Sequence, residues 1–242
     1  MTTPTFVLIP GAGGAAWYWN LVEAELRNRG YDAISVGLPG ADENAGLPQY
    51  LDIVVQAVST VDDHTELIMV GQSLGAFTAS LACDQLPVST LVLLNAMIPA
   101  PGETPGDWWT NTGQAEARRA LDEQQGRDPD AEFDPMIYFL HDVSPTLIAE
   151  GEGHQNPEAD AVFATPWNLT AWPDVPTRVL SSRDDRFFPL AFQRRIAQQR
   201  LGITPDEIDG GHLVALSDPI GVTDRLESYR VASGNLDPQA GR

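Results

Sequence analysis

Lysine is absent from this 242-residue chain, and all 14 of its basic side chains are arginine. Chemistry that needs a lysine is therefore excluded: a Schiff base, a phosphate-loop lysine or a lysine general base. Against those cations stand 34 acidic residues, a net charge of −20. So acidic a chain would be repelled by phosphates, so neither nucleic acid nor an anionic membrane is an expected partner. Cysteine occurs once, as Cys83. No intramolecular disulfide can form, which fits a reducing compartment. No charged leader, long apolar run or cleavage site opens the chain. The expectation is a cytoplasmic protein of one domain with a sizeable core.

What is present is a rhythm of short apolar runs and helical stretches. Thr5–Ile9, 33–36, 67–70, 90–94 and 176–180 read as buried strands, with a further short one near 203–208. Helical spacing is expected over 17–29, 48–61, 190–200 and 214–229, and behind position 73. Strands alternating with helices in this way imply a mostly parallel sheet covered on both faces. The rhythm breaks near Ile98, no buried strand run follows to about Pro166, and the rhythm resumes at Pro176. Between them lie Pro-Gly clusters, Trp108-Trp109, a polar helix around 114–125 and acidic loops. The expected organisation is a core of 1–97 and 167–231, a lid of 98–166, and a flexible tail of 232–242.

The most informative stretch is Leu67-Ile68-Met69-Val70-Gly71-Gln72-Ser73-Leu74-Gly75-Ala76. An apolar strand ends at Gly71, and small and apolar residues at helical spacing follow Ser73. Gly-x-Ser-x-Gly between a strand and a helix is the nucleophile elbow of α/β-hydrolases. Its glycines leave room for the crossing strand and helix, and its serine sits in a strained conformation that costs about 1–3 kcal/mol.

A serine hydroxyl needs a base, and the base needs a carboxylate to orient it. Only four histidines are available. His64 precedes the elbow strand at the wrong end of the sheet, and His141 and His154 fall in the lid. His212, after the last short strand, is placed at the carboxyl edge beside Ser73. The acid should follow the preceding strand, where Asp184 and Asp185 are adjacent and only one can face inward. Asp185 is the choice and Asp184 the fallback. The equivalent place after the earlier strand holds Asn95, which cannot serve as an acid. Two backbone amides should stabilise the tetrahedral oxygen, those of Leu74 and of Ala12 in the loop 11–14. The same loop, Gly11-x-Gly13-x-x-Ala16, also fits a dinucleotide fingerprint. An NAD(P)-dependent dehydrogenase would need an acid at the far end of the next strand, however, and Asp32 lies at its beginning.

The chain resembles the α/β-hydrolase branch of plant methylesterases and hydroxynitrile lyases, with their bacterial esterase-like relatives. The matching stretches are 6–19, Gly71–Gly75, Asp185–Gln193 and Gly210–Leu213. The resemblance implies an α/β-hydrolase fold with a helical lid after the strand ending near Asn95. It also implies carboxylesterase chemistry with Ala12 and Leu74 as oxyanion donors. The lyases of this branch carry a threonine at the position of Gly11 and a lysine at that of Leu213, so cyanohydrin cleavage is not expected here. Pro10 replaces the usual histidine before the glycine.

The expected reaction is hydrolysis of a small-molecule ester through an acyl-enzyme on Ser73, with His212 as base and Asp185 behind it. No metal or organic cofactor is needed. The rate should fall as His212 is protonated, near or below an unperturbed pKa of about 6.5. Gly11, Trp17, Trp108, Trp109, Tyr138, His141, Trp167 and Leu213 are candidate pocket residues, as are Phe133, Met136, Phe139 and Phe163. They favour a small or medium apolar or aromatic ester. The alternatives are a lyase, a perhydrolase, a biosynthetic-pathway enzyme or a ligand-binding homologue on the same scaffold. A homodimer stays open.

Overall fold

The computed structural model describes residues 3–234. Six strands form one sheet: β1 Thr5–Ile9, β2 Asp32–Ser35, β3 Leu67–Gln72, β4 Val88–Leu94, β5 Thr177–Ser182 and β6 Asp206–Ile208. Their spatial order is β2-β1-β3-β4-β5-β6 and every neighbouring pair is parallel. All the strands therefore end at the same edge.

Each strand divides its side chains between two cores, as a two-residue pleat requires. Val7, Ile9, Met69, Leu91 and Leu93 face one cluster, while Phe6, Leu8, Ile68, Val70, Val92 and Leu94 face the other. The first cluster is covered by α2 (Leu47–Ala57), α3 (Gly75–Gln85) and, near β5, α9 (Leu190–Leu201). The second is covered by α1 (Asn20–Asn28), α10 (Val214–Ser217) and α11 (Pro219–Gly234). This is the α/β architecture expected from the alternating runs.

Between β4 and β5 come α4 (Pro105–Thr112), α5 (Gln114–Gln124), α6 (Pro135–Tyr138), α7 (Pro145–Gly151) and α8 (Asp160–Phe163). No strand occurs there among the described residues. The segment is fastened to the core by buried polar contacts. Arg200 of α9 pairs with Glu103, which also accepts from Asn111 at 2.8 Å.

Three expected elements are corrected. The helix expected over 17–29 is a 3-10 turn, Ala16–Trp19, followed by α1. The tight turn lets adjacent Tyr18 and Trp19 both point inward, their rings 4.8 Å apart. The helix expected over 214–229 is two helices, because Pro219 lacks an amide and forces Asp218 out of the helical region, to φ −137° and ψ 67°. Strand β6 starts only at Asp206, since Pro205 has no donor for the ladder. The tail expected at 232–242 falls mostly outside the described residues, and 232–234 are the end of α11. No described helix is long and apolar enough to cross a membrane.

Candidate active site

The site is built where β3 stops. Ser73 follows its last residue with φ +50°, a left-handed conformation that a side chain rarely adopts. The strain is held by its neighbours. Ser73 N–H donates to the Leu94 carbonyl at 3.1 Å, and the Ser73 carbonyl accepts from Met97 N–H at 3.0 Å. The flanking glycines have no alternative. A Cβ on Gly71 would lie 2.7 Å from that of Ala79, and one on Gly75 would lie 2.8 Å from the Ile9 carbonyl oxygen.

His212 comes to Ser73 from the loop after β6. Its Nε2 is 3.2 Å from Ser73 Oγ, and its Nδ1 is 2.8 Å from Asp185 Oδ2. All three residues are buried. Asp185 is itself pinned in place. Its Oδ1 accepts from the amides of Phe187 and Phe188 at 2.9 and 2.8 Å, and its Oδ2 also accepts from Gln193 Nε2 at 3.3 Å. With a carboxylate on Nδ1, the imidazole keeps its proton there and leaves Nε2 free to accept one from the hydroxyl. Asp184, the fallback, is exposed, and only its backbone contributes: its carbonyl lies 3.0 Å from His141 Nε2 and its N–H donates to the Gly210 carbonyl at 3.0 Å.

The rings of Phe139, Phe187 and Phe188 stand 4.9–5.3 Å from the His212 ring and exclude water from it. Behind the loop, Asn95 donates from Nδ2 to the carbonyls of Gly211 and His212 and to Ser182 Oγ, and accepts from Ser182 N–H. Asn95 is fully buried and has φ +44°. It thus staples the histidine loop to the end of β5, from which the Asp185 loop departs. Asp142 completes the frame, accepting from Gly211 N–H at 2.6 Å and from Ser217 Oγ at 2.8 Å. Sequence reasoning passed over Asn95 because it sought an acid there. The available signal was an asparagine just past a strand, since Asn tolerates the left-handed region.

The amides of Ala12 and Leu74 have no protein acceptor among the described residues. Both residues line the same cavity as Ser73. Leu74 stands at the start of α3, where an amide is free and the helix dipole favours an anion. Gly11 packs against Ser73, and a Cβ there would lie 2.9 Å from Ser73 Cβ.

The cavity has a volume of about 420 Å³ and opens over Ser73 and His212. Of the expected pocket residues, Gly11, Trp17, Trp109 and Leu213 line it, as do Phe139 and Phe163. Four others do not. Trp108 is fully buried against Phe188 and Phe192, and its Nε1 donates to the Ile98 carbonyl. Trp167 is equally buried and donates to Ser80 Oγ on α3. Tyr138 joins Arg118 and the buried Asp122. His141 lies behind Asp185 in a separate groove, where burial and the nearby Arg186 hold its imidazole below the usual range. Phe133 and Met136 are largely exposed. Tyr18, Phe187, Leu140 and Leu216 take part in the lining instead. Cys83 is not part of the site: burial pushes its thiol up to about 12, so it is inert at neutral pH. Among the described residues no cluster of three or more His, Cys, Asp or Glu could hold a metal ion.

A rice protein (Oryza sativa subsp. indica) named Probable esterase PIR7A is 29% identical over 179 residues, 66% of this chain and 64% of its own length. Methyl jasmonate esterase 1 of Vitis vinifera is also 29% identical, over 169 residues, with the same shares of each chain. The match thus spans just under two thirds of these relatives. Among solved structures, polyneuridine aldehyde esterase superposes with a TM-score of 0.76 at 18% identity, covering 95% of this chain and 100% of its own, a likeness of fold. The model of the alpha/beta hydrolase family matches residues 6–225, taking in Ser73, both loops of the site and all of the sheet but Thr5, and the chain belongs to that family.

Proposed function

We propose that the protein is a serine hydrolase of carboxylic esters, with Ser73 as nucleophile, His212 as general base and acid, and Asp185 as the group that orients it. The observation that carries this reading is the continuous chain from Ser73 Oγ through His212 to Asp185, opening into an apolar cavity. The names of the relatives, an esterase and a methyl jasmonate esterase, support ester cleavage as the activity.

In the first step Ser73 Oγ bonds the ester carbon while its proton passes to His212 Nε2. The carbonyl oxygen becomes an oxyanion facing the amides of Ala12 and Leu74. Collapse expels the alcohol, which takes the proton back from His212 and leaves the acyl group on Ser73. Water, deprotonated by the same imidazole, then releases the acid. Asp185 stabilises the imidazolium in both halves through Nδ1. No cofactor enters any of these steps.

The segment 98–166 acts as the lid that shapes the substrate. Trp109, Phe139, Leu140, Leu147 and Ile148 from it, with Trp17 and Leu213 from the core, leave an apolar space for a small or medium apolar or aromatic ester. Leu213 puts an aliphatic side chain into the cavity beside the histidine. The wall there offers no cation to hold an alkoxide or cyanide, which disfavours lyase chemistry.

A panel of p-nitrophenyl and methyl esters of graded acyl size tests the reading. Turnover should peak for apolar acyl groups that fit about 420 Å³. Ser73→Ala should remove nearly all of it while leaving the melting temperature unchanged. Undiminished turnover by that variant would overturn the assignment.

A further inference from the structure

The loop that presents the Ala12 amide has one turn bond of its own, Gly14 N–H to the Gly11 carbonyl at 3.1 Å, and is otherwise held from outside. Gly13 and Gly14 both have positive φ, +86° and +66°, and carry no side chains that could lock the turn. The next amide along, Gly13 N–H, donates to Oε2 of Glu158 in the inserted segment, 145 residues later. Oε1 of the same carboxylate accepts from the hydroxyl of Tyr50 on α2. Around this contact the inserted segment lies close against the loop. The Asn156 carbonyl oxygen is only 2.6 Å from where a Gly13 Cβ would sit, and Ala159 N–H donates to the Gly40 carbonyl at 2.7 Å. Nearby, the rings of Trp17 and His154 stack at 5.3 Å, closing the side of the cavity.

We propose that Glu158, braced by Tyr50, is a positioning residue for this loop, a role that rests on the ester-hydrolase reading above. Its carboxylate fixes the Ala12–Gly13 peptide and so limits the Ala12 N–H to the direction of the tetrahedral oxygen. It also makes that geometry depend on the inserted segment being in place over the cavity. An anion is an unfavourable choice for stability alone. Burial holds the Glu158 carboxyl above the usual range despite the two donors. What the site gains from it is the rigid two-donor geometry that only a carboxylate with both oxygens accepting can give. A glutamine there would turn N–H bonds toward one of the two donors.

The test uses Glu158→Gln, Glu158→Ala and Tyr50→Phe with a p-nitrophenyl ester that the wild type cleaves, and a matching trifluoromethyl ketone. In the ketone adduct Ser73 Oγ bonds the carbonyl carbon, the π pair moves to oxygen, and the hydroxyl proton passes to His212. The adduct thus carries the oxyanion without a leaving group. Both Glu158 variants should lose about tenfold or more in kcat with KM within about twofold, because the interaction is used only when the oxyanion forms. Affinity for the ketone should fall by the same factor as kcat. At neutral pH the melting temperature of Glu158→Gln should stay close to that of the wild type, since removal of a buried charge offsets the hydrogen bond that the amide NH2 cannot accept. Tyr50→Phe should show the same pattern with a smaller loss, and it decides the matter if the Glu158 variants do not fold. Wild-type kcat in these variants, or a kcat loss that follows a fall in melting temperature with ketone affinity intact, overturns the proposal. With Ser73→Ala inactive alongside, such a result spares the hydrolase reading. Turnover by Ser73→Ala overturns both.

Discussion

Replacing His212 by alanine is expected to lower kcat for ester hydrolysis by about 10⁶-fold, the scale seen when a single member of such a relay is lost in a serine protease. The geometry dictates the size of the effect. His212 Nε2 is the partner of Ser73 Oγ at 3.2 Å, and the three rings around it are phenylalanines that can accept no proton. Without the imidazole the hydroxyl has no base in reach. The free amides of Ala12 and Leu74 and the apolar cavity would remain, so a residual rate about 10³–10⁴-fold above that in water should persist. Steady-state kinetics with active-site titration reads both numbers. A variant within about 100-fold of wild type would mean another group takes the proton.

Asp185→Asn should cost about 10⁴-fold in kcat with little change in KM, whereas Asp184→Asn should stay within about twofold. The contrast follows from what each carboxylate meets. Asp185 Oδ1 faces the amides of Phe187 and Phe188, so an asparagine there would aim its oxygen at them. Its NH2 would then face His212 Nδ1 and donate to it. That drives the imidazole proton to Nε2, the nitrogen that must stay free to accept from Ser73. Asp184 is exposed and touches the site only through its backbone, the carbonyl beside His141 and the amide donating to the Gly210 carbonyl, both of which the substitution keeps. Measured side by side, the two variants separate an orienting carboxylate from a bystander one residue away. Equal losses would contradict the assignment.

The sheet was legible because its strands are continuous apolar runs, and burial on both faces demands them. The elbow was legible because its glycines answer to steric demands: Gly71 meets Ala79, and Gly75 meets the backbone of β1. His212 and Asp185 could be placed because a parallel sheet delivers every loop to one edge, so position after a strand substitutes for a contact map. The pocket was much less legible. Trp108 and Trp167 look like pocket aromatics, yet each spends its indole N–H on a buried acceptor, the Ile98 carbonyl and Ser80 Oγ. In a stretch of short helices without sustained periodicity, nothing in the sequence says which way an aromatic points. The break at Pro219 was readable from proline chemistry and was read through. Glu158 gave no local signal, because its two partners lie on β1's loop and on α2, far away in the chain.

The structure also shows why the histidine loop needs so much support. It carries Gly210 at φ +126° and Gly211 beside it, and glycine costs the most entropy to order. Gln72 and Asn95 donate to that loop and Asp142 accepts from it, from three separate parts of the chain. That arrangement is what holds an imidazole on a flexible glycine pair within reach of a fixed hydroxyl.

The central claim is that Ser73 is an activated nucleophile, and covalent labelling addresses it most directly. Wild-type protein treated with a fluorophosphonate should gain a single phosphonyl group, located to Ser73 by peptide mass spectrometry. His212→Ala should react far more slowly and Ser73→Ala not at all. An unlabelled wild type, or a label on a different residue such as Ser182, would contradict the account.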